Sequence, residues 1–489
     1  MVNIDEADGH ADSTLVLSNL LHAILYCITV GIAKSDRLLA SQPSAQAGDL
    51  YWDTNADVAG SGNAGGAWDT GTPWSTDAAG TVATVGWING ENAIFSAGTD
   101  GVAGKTVTLG GTVATPLIRL EEAGIVTLNG GTLDVTGGTT FDTSVLGAGG
   151  GGSLNWTPAI IGNGDLTLKV NGDISDTGGG SNTVFVLSGA NTFTGNVRFT
   201  SGVTRLSSGF GNAANKLILD GGGFIDDNLN ITTARNIEIG AGGGIIRLWG
   251  GATTNLNGTF SNEAGVLSAT VKRTDGGTLR LNGSGAGFTG TFINARGNLY
   301  FVSKDWSGTD LVTTDGGNVV YFPTAGDTTI KSLTSDRDLN IAAGARLNIA
   351  TGVYNAVSPP TTNNFWMQGA GKLTSSSNTL TFNWGTSYLV AGDQSVRVIV
   401  EDYAPGVPLA VVKNGPGGLN NYDKANTYTG GTTINGGRIA ASNVGSFGTG
   451  TVTVNAGGQA YITAGGTYAH GDFICEGWVL VAVRESILG

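Results

Sequence analysis

Three pairs of adjacent carboxylates, Glu121-Glu122, Asp226-Asp227 and Glu401-Asp402, invite a reading as acid–base or calcium sites. Neighbours on a strand point to opposite faces, so no pair can share one site without a bend, and solvated turns are the expectation. Asp220, Asp275 and Asp315 each precede Gly-Gly, yet no Gly-Gly-x-Gly-x-Asp calcium nonapeptide accompanies them. A polysaccharide lyase or hydrolase needs carboxylates beside Arg or Lys. Arg247, Lys272, Arg273 and Arg280 near Glu263 and Asp275 form the one such grouping, and a solvated charged face is expected of it. His10, His22 and His470 are the only histidines and lie outside the central body, which argues there against a Ser-His-Asp triad or a histidine-ligated zinc. No catalytic, cofactor-binding or metal-binding residue is therefore assigned, and the chain is expected not to be an enzyme. Four tryptophans, Trp52, Trp68, Trp74 and Trp87, crowd one short stretch. They suit either sugar stacking or a hydrophobic cap over an open sheet end, and the cap is the expectation.

The elements that carry these residues read as strands. From Gly48 onward no window sustains the apolar spacing of a helix, whereas short alternating runs ended by glycine recur. Thr106-Val-Thr-Leu109 and Thr451-Val-Thr-Val454 alternate aliphatic with threonine, placing one set inward. The turn repeats as well. Val126-Thr-Leu128 leads through Asn129-Gly130-Gly131 to Leu133-Asp-Val135, and Leu339-Asn-Ile341 through Gly344 to Leu347-Asn-Ile349. Ile237-Glu-Ile239 to Ile246-Arg-Leu248 and Val452-Thr-Val454 to Ala460-Tyr-Ile462 follow the same grammar. A meander or a sandwich could use such turns, but neither continues for so long without a compositional break. A parallel β-solenoid does, with aliphatic and aromatic side chains stacked inside and Asn, Thr and Gly at the corners. At about 20 to 25 residues per coil and about 4.8 Å between strands, the body would extend on the order of 80 to 100 Å.

Composition narrows the alternatives. Glycine supplies 83 of 489 residues, well above the roughly 7% average, and charged residues only 13%. The chain is neither a charge-swollen disordered polymer nor a bundle of lipid-immersed helices, and the absence of period-three glycine excludes collagen. A net charge of −14 disfavours nucleic acid and anionic lipid as partners. Cys27 and Cys475 are the only cysteines, so the body has no disulfide framework.

One segment recurs. Leu187-Ser-Gly-Ala-Asn191-Thr-Phe193-Thr-Gly195 is echoed by Ala425-Asn426-Thr-Tyr428-Thr-Gly430 and, more loosely, by Leu281-Asn-Gly-Ser-Gly-Ala-Gly-Phe288-Thr-Gly290, which lacks the Asn-Thr pair. In each copy a second glycine follows seven residues on, at Gly202, Gly437 and Gly297. The aromatic is expected in the core at a coil corner and the Thr-Gly at the turn. These residues, and the continuation Phe447-Gly-Thr-Gly-Thr-Val-Thr-Val454, resemble the autotransporter-associated β-strand repeat, also called the passenger-associated transport repeat, of surface-exported bacterial proteins. The run of Trp52, Trp68 and Trp74 to Phe95-Ser-Ala-Gly98 also looks like the start of such passengers.

The resemblance implies an all-β, single-stranded, right-handed parallel β-helix with an N-terminal cap. Its expected organisation is a leader at 1–47, a Trp-rich cap at 48–100, and a β-helix at 101–468 with repeat segments near 187–206, 281–299 and 425–458. An atypical tail fills 469–489. The leader reads as a signal-like or anchor segment: an apolar run from Leu15 to Ala33 precedes Ala45-Gln46-Ala47, a small-x-small cleavage form, but Asp5, Glu6, Asp8 and Asp12 stand where a signal wants positive charge. A buried amphipathic helix is its other reading. The expected function is an exported, non-enzymatic passenger at the cell surface, for adhesion or envelope structure. A polysaccharide or cell-surface ligand and the outer-membrane translocation machinery are the expected partners, with no cofactor. The rivals are a carbohydrate-active β-helix and, because no membrane barrel follows the body, a truncated gene remnant.

Overall fold

The structure is a computed structural model that describes residues 47–146, 153–171, 186–187, 189–205, 209–226, 229–314, 319–335, 337–356, 365–384, 394–463, 465–468, 470–476 and 478–481. The chain divides into two units, Met1–Gly48 and Asp49–Gly489. Apart from Ala47, the leader expected at 1–47 lies outside the described residues.

Among the described residues the chain is all-β, with one three-residue 3-10 turn at Ser144–Leu146 and no α-helix. The strands form sheets of ten, six, sixteen and twelve strands. Nearly every pairing is parallel and joins a strand to one about a coil further along. Leu217 pairs with Ile237, twenty residues on, and Leu166 with Val197, thirty-one on, so the repeat length is wider than 20 to 25 residues because the corners vary in length. Parallel neighbours linked this way, with no helical crossover, are consistent with a β-helix or solenoid. Asp49–Trp52 with Trp74–Ser75 is an antiparallel pair, and isolated antiparallel bridges join Trp74 to Val85 and Ala404 to Val407.

Alternation decides which side chains go inside. In the twelve-stranded sheet Leu279, Leu299, Val320, Leu339, Met367 and Val396 occupy one register column, and all are fully buried. The intervening column, Arg280, Tyr300, Tyr321 and Asn340, is half-buried and faces away from that core. There the Tyr300 and Tyr321 rings stack at 4.2 Å, and the Arg280 guanidinium lies 4.2 Å from the Tyr300 ring.

The three repeat copies share one physical role. Phe193, Phe288 and Tyr428 are fully buried. Each motif glycine lies directly against the backbone of the preceding coil: a Cβ on Gly195 would sit 1.9 Å from the Gly164 carbonyl, one on Gly290 1.9 Å from that of Ala269, and one on Gly430 2.5 Å from the Leu409 backbone. The second glycines, Gly202, Gly297 and Gly437, all have positive φ, at 61°, 74° and 66°, which explains why glycine stands at each. The motif asparagine is a clamp. Asn191 accepts from Ile160 N–H (2.9 Å) and donates to the Gly209 carbonyl (2.5 Å), and Asn426 accepts from Val400 N–H (2.8 Å) and donates to the Ser446 carbonyl (2.7 Å). Each therefore ties the coil before it to the coil after it. In the looser copy Ala286 stands at this position, and that clamp is lost.

A second device runs along the sixteen-stranded sheet. Asn383 donates to Asn355 (3.0 Å), Asn414 to Asn383 (3.0 Å), Asn435 to Asn414 (2.8 Å) and Asn455 to Asn435 (2.6 Å), a five-residue side-chain ladder. Within the segment expected as an atypical tail, Phe473–Cys475 pairs in parallel with Val452–Val454, and Trp478–Val481 with the strand ending at Ile462.

Candidate functional site

The residues singled out as chemically capable are for the most part built into the framework. Trp52, Trp68 and Trp74 are fully buried and, with Trp87 and Phe95, interlock at centroid distances of 4.9 to 5.8 Å, so these three offer no ring face to a sugar. Nor are the paired carboxylates all in solvated turns. Glu122 is buried with Ser96 and Lys105: Lys105 Nζ donates to Ser96 Oγ (3.2 Å), which donates to Glu122 Oε2 (3.3 Å). Burial raises the Glu122 carboxyl pKa and lowers that of the Lys105 ammonium, although each charge opposes the other's shift. Asp226 is fully buried and accepts from Leu229 N–H, Ile231 N–H and Thr254 Oγ1, so it organises the corner that follows its strand. Asp227 and Asp315 lie outside the described residues.

The basic grouping is not a single solvated face, because two of its four members, Arg247 and Arg273, are buried. Arg247 and Asp275 form a buried ion pair at 2.6 Å. Arg273 is fully buried, its pKa pushed down to about 9 by desolvation, and Gly297 packs so closely on its guanidinium that a Cβ there would lie 2.1 Å from it. Glu263 is engaged elsewhere, by Arg198, which also binds Asp220 at 2.8 Å. Arg280 belongs to the outward column against Tyr300, and Lys272 is half-buried. Glu263 and Asp275, the expected acid candidates, thus serve different cations. The error has one physical source: in stacked coils a charged residue's surroundings come from strands 20 or more residues away, which local spacing does not reveal.

What the structure does assemble is a surface cluster around Arg346. Asp327, Arg346 and Lys372 follow one another in register on the strands Gly326–Ser335, Ala345–Ile349 and Lys372–Thr374. Arg346 holds Asp327 with two hydrogen bonds, one from Nε at 2.8 Å and one from Nη2. Its Nη1 donates to Glu401 (3.4 Å) and to the Tyr403 carbonyl (3.0 Å), and Lys372 binds Glu401 at 2.6 Å. Hydrogen bonding to Asp327 is the main cause that raises the Arg346 pKa. Its guanidinium also lies 5.3 Å from the Tyr403 ring centroid. Two adjoining depressions share Arg346 and Glu401 as a wall, with volumes of about 300 and 310 Å³. Small residues, Gly326, Gly344, Ala345 and Ala370, leave the first one open; Tyr403, Ala404, Pro405 and Thr427 border the second. Asp402 fixes this second border, accepting from Leu409 N–H (2.7 Å), Thr429 N–H (3.0 Å) and Thr429 Oγ1 (2.8 Å). The sequence signal for this cluster was the Glu401-Asp402 pair; its partners were missed, lying 29 to 74 residues before Glu401.

Among the described residues no helix is long and apolar enough to cross a membrane, and no three His, Cys, Asp or Glu side chains are grouped to hold a metal. No protein-family model matches the chain, and no solved structure matches it. Over 255 residues, half of the chain, it is 29% identical to the adhesin BmaC autotransporter of Brucella suis biovar 1 (strain 1330). The relation is autotransporter-like. The matched stretch covers 7% of that adhesin's length.

Proposed function

We propose that the chain is an exported, adhesin-like passenger segment: a single-stranded, right-handed parallel β-helix whose stacked coils carry a binding surface outside the cell. The observation that carries this reading is the conjunction of coil-on-coil parallel pairing over the described residues with the similarity to an autotransporter adhesin. A stack stabilised by neighbour contacts can form progressively as it emerges from a membrane, which suits a passenger better than a fold needing distant contacts at once. In this reading the recurring Asn191 and Asn426 segments act as autotransporter-associated repeats that lock successive coils, and the Trp-rich segment 48–100 closes the N-terminal end. The role is non-enzymatic. In this reading the Asp327 and Glu401 carboxylates are used in ion pairs with Arg346 and Lys372.

The test is export. The full chain, joined to an outer-membrane transporter barrel in a Gram-negative host, is expected to become accessible to protease on intact cells and to increase their attachment to host-cell or matrix-coated surfaces. Retention of the folded chain inside the cell, or display without any gain in attachment, would refute the adhesin-like reading.

A further inference from the structure

We propose that the two depressions flanking Arg346 form consecutive subsites for a neutral polysaccharide chain. This deepens the adhesin-like reading and rests on it for its biological setting. Shape is the first argument. The depressions follow the stacking direction from the Gly326–Ser335 strand past Ala345–Ile349 and Lys372–Thr374 to the segment after Ile399–Val400. Three steps at about 4.8 Å per parallel strand make a track of about 14 Å, suited to an extended polymer more than to a single small molecule.

Charge is the second. The side chains lining the two depressions carry two cations, Arg346 and Lys372, against three carboxylates, Asp327, Glu401 and Asp402, so the site has no net attraction for a polyanion, and the chain's charge of −14 repels one. A ligand that exploits such a surface must both donate and accept hydrogen bonds at close spacing. Sugar hydroxyls do this: they donate to the remaining carboxylate lone pairs and accept from ammonium and guanidinium N–H groups. The glycine and alanine floor admits the carbon face of a sugar ring, and half-buried Tyr403 supplies an aromatic wall.

Preorganisation is the third argument. Arg346 is fixed by Asp327, Glu401 and the Tyr403 carbonyl, while the Tyr403 border is pinned through Asp402 to Thr429 of the Asn426 repeat copy. A ligand therefore spends little binding energy on ordering these side chains. The recurring segment positions the site as well as locking the coils.

Native affinity electrophoresis of the purified full chain tests this, with a β-glucan, an α-glucan, a mannan and a xylan in the gel, and polygalacturonate and heparin as acidic counterparts. At least one neutral polymer is expected to retard the wild-type chain, and Arg346→Ala and Tyr403→Ala to weaken that retardation at least tenfold while keeping the wild-type β-sheet circular dichroism. Should Arg346→Ala fail to fold, Tyr403→Ala and Lys372→Ala decide. The proposal is overturned if no neutral polymer retards the chain, if the acidic polymers retard it as strongly, or if folded variants bind like wild type. The gel reads binding in solution and the protease experiment reads export, so failure of either is distinguishable from failure of the other.

Discussion

Replacing Asn426 by alanine tests how successive coils are held together. The side chain is 4% exposed, accepts from Val400 N–H in the preceding coil and donates to the Ser446 carbonyl in the following one. Truncation removes both bonds and leaves a buried donor and a buried acceptor without this partner. Each orphaned group costs about 1 to 3 kcal/mol, so about 3 kcal/mol is a working figure for the pair. Because a stacked array is stabilised by nearest neighbours, the loss should stay local. Hydrogen exchange read by mass spectrometry is the assay. About 3 kcal/mol corresponds to roughly a hundredfold loss of protection, expected in peptides covering 396–404 and 440–448, with those covering 159–170 unchanged. Asn191→Ala should give the mirror result, exposing 159–162 and 209–212 and sparing 396–404. Unchanged exchange at Val400, or a uniform rise along the chain, would refute the clamp.

Breaking the buried Arg247–Asp275 pair by Asp275→Ala should cost about 3 to 5 kcal/mol in denaturant unfolding, because it takes that carboxylate from Arg247 and also removes the charge that offsets the burial of Arg273; Arg247→Met, which leaves Asp275 in place for Arg273, should cost less, and equal losses would contradict this. Lys413 is fully buried, donates to the carbonyls of Asn414, Gly415 and Gly436, and has its pKa pushed down to about 8 from 10.5 by burial. Between these values the unfolded state binds more protons than the folded one, so this residue makes stability rise with pH from about 8 toward 10.5. Denaturant midpoints at pH 7.5, 8.5 and 9.5 should show that rise, and Lys413→Met should flatten it. Gly430→Ala should destabilise by about 1 to 3 kcal/mol, because its Cβ would press on the Leu409 backbone, while Gly465→Ala, with open space around it, should be near neutral in thermal melting.

Much of the strand pattern was legible from alternation. Ile237–Ile239 with Gly244–Leu248, Leu339–Ile341 with Ala345–Ile349, and Val452–Val454 with Gly458–Ile462 coincide with the runs read around glycine corners. Asn129-Gly130-Gly131 differs. It reads as a turn between strands, yet Ile125–Asp134 is one strand, bent where Gly130 and Gly131 take positive φ and where the neighbouring register shifts between Leu109 and Thr112. Charged residues were the least legible. Whether Arg247 faces water or Asp275 depends on a residue 28 positions away, and the Arg346 cluster exists only once three coils are in register. Hydrophobic alternation sets which face a residue occupies, but corner length sets which neighbour it meets.

The carboxamide ladder from Asn355 to Asn455 has a direction. Every rung gives its N–H to the rung of lower number, so the amide dipoles add, and each rung presents its oxygen to the one that follows. Removing one inner rung, as in Asn414→Ala, would leave the Asn383 oxygen without this donor and the Asn435 amide without this acceptor, so a single truncation would open the row at two joints.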